Sequence, residues 1–442
     1  MTLQRTLLSA ALAAGLGLAL AGQAKAARIE IDWWHAMVGP LADQVNALAT
    51  GFNQSQTEYK VVPVFKGNYT ATLTSAIAAF RAHQQPDIVQ VFEVGTATMM
   101  AAKGAVYPVY QLMKDTGEPF DPKAYVPAVY SYYATPAGQL LSLPFNSSTQ
   151  VLFYNQDAFT KAGLDPNTPP TTWAEVGQDG AKLVAAGYKC GFTTSWQAWI
   201  QLENFSAWHN IPFATEQNGY GGTGARLVFN GPLQVAHIQQ LADWTKSHVF
   251  VYGGREDKPE PLFTSGECPM LLSSTGIADR VSKAMPGAHI GIAPMPYEPS
   301  VKGAPQNSII GGATLWVLRG KPASHYKGVA EFFHYLSSPK VQAKWHQETG
   351  YVPVTVAAYE LSRKDGFYKK YPGRDVAIKE LSLHQPTANS RGIRLGNYVQ
   401  IRDIENEELE AVWAGKKTAK QALDDAVTRG NRLLEQFQAA NP

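Results

Sequence analysis

Gly67-Asn68-Tyr69, Glu93, Asn146-Ser147-Ser148-Thr149 and Ser273-Ser274-Thr275-Gly276 gather amides, hydroxyls and a carboxylate where apolar runs give way to turns. Groups of this kind hold a polar ligand by hydrogen bonds. None of them is a strong nucleophile without an activating base. Taken singly, each segment is also what an ordinary cap or turn contains. Signatures of catalysis are missing from the sequence: there is no HExxH, no GxSxG and no CxxC, and the ten histidines show no metal-ligand spacing. His35 reads as a satisfied structural group. Gly415-Lys416-Lys417-Thr418 resembles the end of a phosphate-binding loop, but no glycine stands at the required spacing before it and no strand leads into it. It reads as a turn with solvated lysines. Binding is therefore the expected chemistry, with no enzyme activity and no cofactor.

The segments that position these groups alternate in period. Residues 29–33 alternate apolar and polar as a strand does, and Leu41, Val45, Leu48 and Phe52 then recur at helical spacing. Residues 60–65 form a Val-rich second strand. Leu73, Ile77 and Phe80 share one face of a helix over 69–81, and 88–91 is a third strand. A βαβαβ order implies a parallel sheet with right-handed crossovers. Ligands of such sheets gather at the carboxyl ends of the strands, where the polar segments lie. Further strands are expected at 151–153, 270–272, 290–292 and 312–318, and a helix at 173–186. Thr418 and Gln421 have the spacing of a capping box that opens a last helix through Leu423, Val427, Leu434 and Phe437. The sequence contains no repeat, low-complexity stretch or long linker.

The 442 residues, 45% hydrophobic and 17% charged, suffice for two packed cores. Residues 1–26 have the form of a secretory leader: Arg5, an uncharged stretch rich in Ala and Leu, then Ala24-Lys25-Ala26 as a small-x-small cleavage site. The mature chain is expected to start at Ala27, free in the periplasm. Removing Arg5 and Lys25 brings the formal charge of +2 to zero. A neutral chain argues against nucleic acid or an anionic membrane as partner, so an anion has to be held by a local site. Cys190 and Cys268 are expected to pair in an oxidising compartment, two buried thiols being the alternative.

From Trp33-Trp34-His35 and Lys66-Gly67-Asn68-Tyr69 onward, the chain resembles extracellular solute-binding proteins of the maltose-binding type. It is most similar to those that take glycerol 3-phosphate. The resemblance rests on strings at 92–100 (FEVGTATMM), 144–149 (PFNSST), 196–208 (WQAWIQLENFSAW), 304–313 (APQNSIIGGA), 345–353 (WHQETGYVP) and 394–402 (RLGNYVQIR). It implies an α/β, two-lobed periplasmic-binding-protein fold of type II. Each lobe would be a mainly parallel sheet flanked by helices, with a hinge of several crossings. The implied lobes are 27–143 with 296–348, and 144–295 with 349–442. It also implies a monomer that delivers its ligand to the permease subunits of an ABC importer.

The family's binding residues carry over to Tyr69, Glu93, Ser148, Ser274, Gly312, Tyr351 and Arg402, with Trp196 and Trp199 as the aromatic pair beside the cleft. Ser273-Ser274-Thr275-Gly276 departs from the family's loop and leaves its register open by one residue. Thr193-Thr194 also differs. By residue type, Arg402 can fork a phosphate, and the Ser and Tyr hydroxyls and the Gly312 N–H can spread the remaining charge. Glu93, repelled by phosphate, is expected at the other end, on the glycerol hydroxyls. Without the resemblance each residue has a bland reading. Arg402 could pair with Asp403 or Glu405, Arg394 could replace it, the tyrosines could be core, and the tryptophans could be a helix face. Arg402→Ala is expected to abolish binding and leave the melting curve nearly intact. Glycerophosphodiesters such as glycerophosphocholine, or a maltose-like oligosaccharide, are the alternative ligands.

Overall fold

The computed structural model describes residues 27–441; the leader expected at 1–26 lies outside them. Two sheets organise the chain. The first holds β1 (Ile29–His35), β2 (Tyr59–Phe65), β3 (Ile88–Phe92), β4 (Val106–Tyr107), β5 (Leu143–Ser148) and β10 (Gly311–Leu318), in the order β2-β1-β3-β10-β4 with β5 also on β10. The second holds β6 (Gln150–Asn155), β7 (Phe192–Thr194), β8 (Met270–Ser274) and β9 (Ile290–Ala293), in the order β7-β8-β6-β9.

The βαβαβ start is present: β1 pairs with β2 and β3 in parallel, and the helix Tyr69–Arg81 lies between β2 and β3. Asn68 caps that helix, its side chain accepting from Ala71 N at 3.0 Å. The sheets are mixed, however, where mainly parallel ones were expected. β10 runs antiparallel to β3, β4 and β5, and β6 runs antiparallel to β8 and β9. The reason is topological. β10 enters the first sheet from the second lobe, and β5 leaves the first sheet toward it, so neither belongs to a βαβ crossover.

The lobe boundaries also move. Leu143–Ser148 pairs with β10, so the first crossing is at Thr149 and not at 143/144. Past 349 the chain stays with the first lobe: Tyr351, Val352, Val354, Ala377 and Leu381 join its core. Val376, between them, packs against Val151, Phe153 and Leu271 of the second sheet, so this stretch runs along the junction of the lobes. The crossings are knitted together by polar side chains. Gln150 Nε2 donates to Ser308 Oγ at 2.8 Å. Ser308 Oγ donates to Glu380 Oε2 at 3.1 Å, and Met295 N donates to Glu380 Oε1 at 3.1 Å. Burial pushes the Glu380 carboxyl up to about 8.

Elsewhere the capping boxes at Thr172 and Thr418 are formed. Lys417, read as solvated, pairs with Glu408 and with Asp425 at 2.8 Å. Cys190 and Cys268 are joined by a disulfide that ties the start of β7 to the loop before β8. His35 is buried, accepts from Met37 N at 3.2 Å and is held neutral by burial, its pKa lowered to about 4.

Candidate functional site

A cavity of about 300 Å³ opens between the lobes. Tyr69, Glu93, Ser148, Trp196, Trp199, Ser274, Gly312, Tyr351 and Arg402 all line it. Strand ends place four of them: Glu93 follows β3, Ser148 ends β5, Ser274 ends β8 and Gly312 is the second residue of β10.

One wall is set by a buried amide relay. Ala36 N donates to Gln90 Oε1 at 2.8 Å, Gln90 Nε2 to Asn146 Oδ1 at 2.7 Å, and Asn146 Nδ2 to the Tyr69 oxygen at 2.8 Å. Because Asn146 occupies that oxygen as acceptor, the Tyr69 O–H is left to donate. Burial, with the Tyr351 hydroxyl second, raises the Tyr69 pKa well above its ordinary value, so the proton stays on. The ring stacks on Phe92 with centroids 5.2 Å apart. Tyr351 stacks on Trp345 at 5.9 Å, and burial likewise raises its pKa. Its ring lies so near Gly276 that a Cβ there would meet it at 2.5 Å. Ser274 Oγ accepts from Gly276 N at 3.1 Å, which frees its own proton for the cleft. Gly312 has φ +95°, and a Cβ on it would stand 1.8 Å from the Asn146 carbonyl oxygen, so only glycine fits.

Arg402 is not where the residue types suggested. It sits on the helix Tyr398–Trp413, 8% exposed. Its Nε and Nη2 donate to the two oxygens of Glu203 at 2.8 and 2.6 Å, and its Nη1 donates to Glu93 Oε1 at 2.6 Å. The guanidinium is thus forked onto Glu203 before any phosphate arrives. Glu93 is beside Arg402 and not at the far end of the cleft. Neither Asp403 nor Glu405 is the partner. Arg394, the alternative cation, is spent on the carbonyls of Ser131, Tyr132 and Ala134. Burial raises the Glu93 pKa, Arg402 opposes this, and the Glu203 charge adds to the rise. A guanidinium that compensates two buried carboxylates cannot be removed without cost, which overturns the expectation of an undisturbed melting curve for Arg402→Ala.

The tryptophans differ. Trp199 is 4% exposed and opens a π-helical turn, Trp199–Asn204, an irregularity frequent at functional sites. Trp196 takes φ +46°, rare for a large side chain, and its N–H donates to Glu256 O at 2.9 Å.

Sequence reasoning missed a second cation. Arg280, on the helix Ala278–Ala284 just past Ser274, lines the cleft together with Glu256, Asp257 and Glu260. It contacts Glu260 closely and lies 3.5 Å from Asp257. Burial pushes the Glu260 carboxyl up to about 8 against the opposing pull of Arg280, and the Asp257 charge adds to the rise. The signal in the sequence is the Ser274 loop, six residues before Arg280. At the rim, Asn68 Nδ2 donates to Glu256 Oε1 at 3.1 Å across the lobes. The described residues include no group of three or more His, Cys, Asp or Glu side chains able to hold a metal ion.

Residues 39–343 match the family model of bacterial extracellular solute-binding proteins. The chain is 51% identical over 438 residues to the sn-glycerol-3-phosphate-binding periplasmic protein UgpB of Pectobacterium atrosepticum, covering 99% of this chain and 98% of that one. It is 52% identical over 429 residues to the protein of the same name from Yersinia enterocolitica, covering 96% and 97%. Among solved structures it resembles UgpB of Mycobacterium tuberculosis in complex with glycerophosphocholine, with TM-score 0.76, 19% identity, and 93% and 99% of the two chains covered. It also resembles the cyclic alpha-maltosyl-1,6-maltose binding protein of Arthrobacter globiformis, with TM-score 0.71, 22% identity, and 93% and 100% covered. These two show the two-lobed α/β fold.

Proposed function

We propose, from the premise that this chain belongs to the bacterial extracellular solute-binding proteins, that it captures sn-glycerol 3-phosphate between its lobes in the periplasm and presents it to the permease of an ABC importer. Its relatives are non-enzymatic components of transport, and a monomer suffices for the role. The observation that carries the reading is the polarity of the cleft. We take the Glu93–Arg402 pair as one end, and Ser274, Tyr351 and Arg280, gathered around Gly276, as the other.

The phosphate carries about −1.5 to −2 charges at pH 7 and needs donors without competing carboxylates. The Ser274 and Tyr351 end supplies neutral donors, and Arg280 supplies a partly exposed cation that it shares with Asp257 at 3.5 Å and with Glu260, whose carboxyl burial pushes up to about 8. The diol is then directed to Glu93 and Arg402, one accepting and one donating. An analogue without the hydroxyls would leave the Glu93 lone pairs that Arg402 does not take without a partner in the cleft. Glu93 belongs to the first lobe and Arg402 to the second. A ligand bonded to both stabilises the closed arrangement by its differential affinity for it.

Half-buried Trp196 at the mouth, beside Glu256, favours glycerophosphocholine as a second ligand. Titration calorimetry with glycerol 3-phosphate, glycerophosphocholine and maltose tests the assignment. Heat from glycerol 3-phosphate is expected, and heat from maltose alone would overturn it.

A further inference from the structure

Glu203 does not line the cleft, yet it determines what Arg402 can do there. It is 2% exposed and belongs to the π-helical turn Trp199–Asn204. Both of its oxygens are engaged by Arg402, at 2.8 and 2.6 Å, in the side-on fork that fixes the plane of a guanidinium. Glu203 and Arg402 lie in the same lobe; Glu93, on the remaining terminal nitrogen, belongs to the other. Behind them Glu405 is fully buried with neither oxygen hydrogen-bonded. Burial, and secondarily the Glu203 charge, raises its pKa well above the ordinary value. Arg402 thus spends its single positive charge on the two carboxylates bonded to it, which leaves no surplus cation at this end of the cleft.

We propose that Glu203 is a positioning and specificity-determining residue. By taking the side-on edge of Arg402 and cancelling its charge, it makes this end of the cleft accept neutral hydroxyls and reject a second anion. The inference rests on the proposed placement of the ligand's diol at Glu93 and Arg402.

The probes are glycerol 3-phosphate and the 3-phosphoglycerate of the same handedness at carbon 2, which carries a carboxylate in place of the hydroxymethyl group. Titration of the purified protein is expected to show 3-phosphoglycerate bound about a hundredfold more weakly. Glu203→Gln keeps the shape and removes the charge. It is expected to weaken glycerol 3-phosphate about tenfold and to shrink the ratio between the two ligands by at least about tenfold. An unchanged ratio overturns the proposal. Should Glu203→Gln not fold, Glu203→Asp is measured: weaker binding at an unchanged ratio supports the proposal, and a collapsed ratio or undiminished affinity refutes it. A readout without ligand separates this inference from the functional reading. The Arg402 Nε–H resonance is expected to be sharp and slowly exchanging in the native protein and lost in Glu203→Gln. If the native protein binds neither probe, the functional reading fails, while that resonance still decides whether Glu203 fixes Arg402.

Discussion

Arg402 and Arg280 both face the cleft, and both keep acidic company, yet they are built for different tasks. Arg402 is nearly buried and bonded to carboxylates from two lobes. The Arg280 side chain is 33% exposed, and its partners Glu260 and Asp257 come from its own lobe. The first network therefore reports whether the lobes are closed, and the second sets the charge of one wall. The difference teaches that a cation in a binding cleft need not be the one that meets the anion. What decides is how much of its charge its neighbours have already taken.

Arg402→Ala should separate the two most sharply. Glu93 and Glu203 would be left buried without a counter-ion, so the unfolding free energy is expected to fall by about 3–5 kcal/mol, with binding lost. Urea unfolding and calorimetry on the same sample check both. Arg280→Ala should do the reverse: affinity for glycerol 3-phosphate falls about tenfold or more, while stability falls by less than in Arg402→Ala, because Arg280 is partly exposed and the buried Glu260 can hold a proton. A stability loss as large as that of Arg402→Ala would erase the contrast.

A finer test uses pH. The Glu260 carboxyl, at about 8 in the folded protein, lies above its ordinary 4.5. Its contribution to stability is whole below the unfolded value and is lost as pH rises through about 8. Native protein should lose stability between pH 5 and 9, and Glu260→Gln should lose less; parallel urea midpoints in the two would count against a protonated Glu260. The smallest effect is expected from Asn68→Ser, which keeps a capping side chain and removes the contact to Glu256. Affinity should change less than about threefold and the melting temperature hardly at all.

The legible parts of the sequence were those with a period. β1 to β3, the helix Tyr69–Arg81 and the capping box at Thr418 follow from local spacing alone. β5 was not legible as a strand. Its residues, LPFNSS, are buried throughout, so it shows no alternation, and it contains a proline. The antiparallel entry of β10 is a fact about where a distant segment returns, which no local pattern encodes. The cleft residues were found through long matching strings, but the partners of those residues were not. Glu203 stands inside the string 196–208, where the tryptophans drew the reading, and the arginine it holds is 199 positions away. Electrostatic pairing at that separation has no signature in a window of residues. Types alone therefore put Glu93 and Arg402 at opposite ends of the ligand, and the fold put them together.

Gly312 limits how this receptor could be retuned. With the backbone carbonyl of Asn146 pressed against the place a side chain would occupy, no side chain can be added at Gly312. A variant engineered for a smaller or a bulkier cargo has to be altered at other lining positions, such as Trp196 or Glu256, while Gly312 is inherited unchanged.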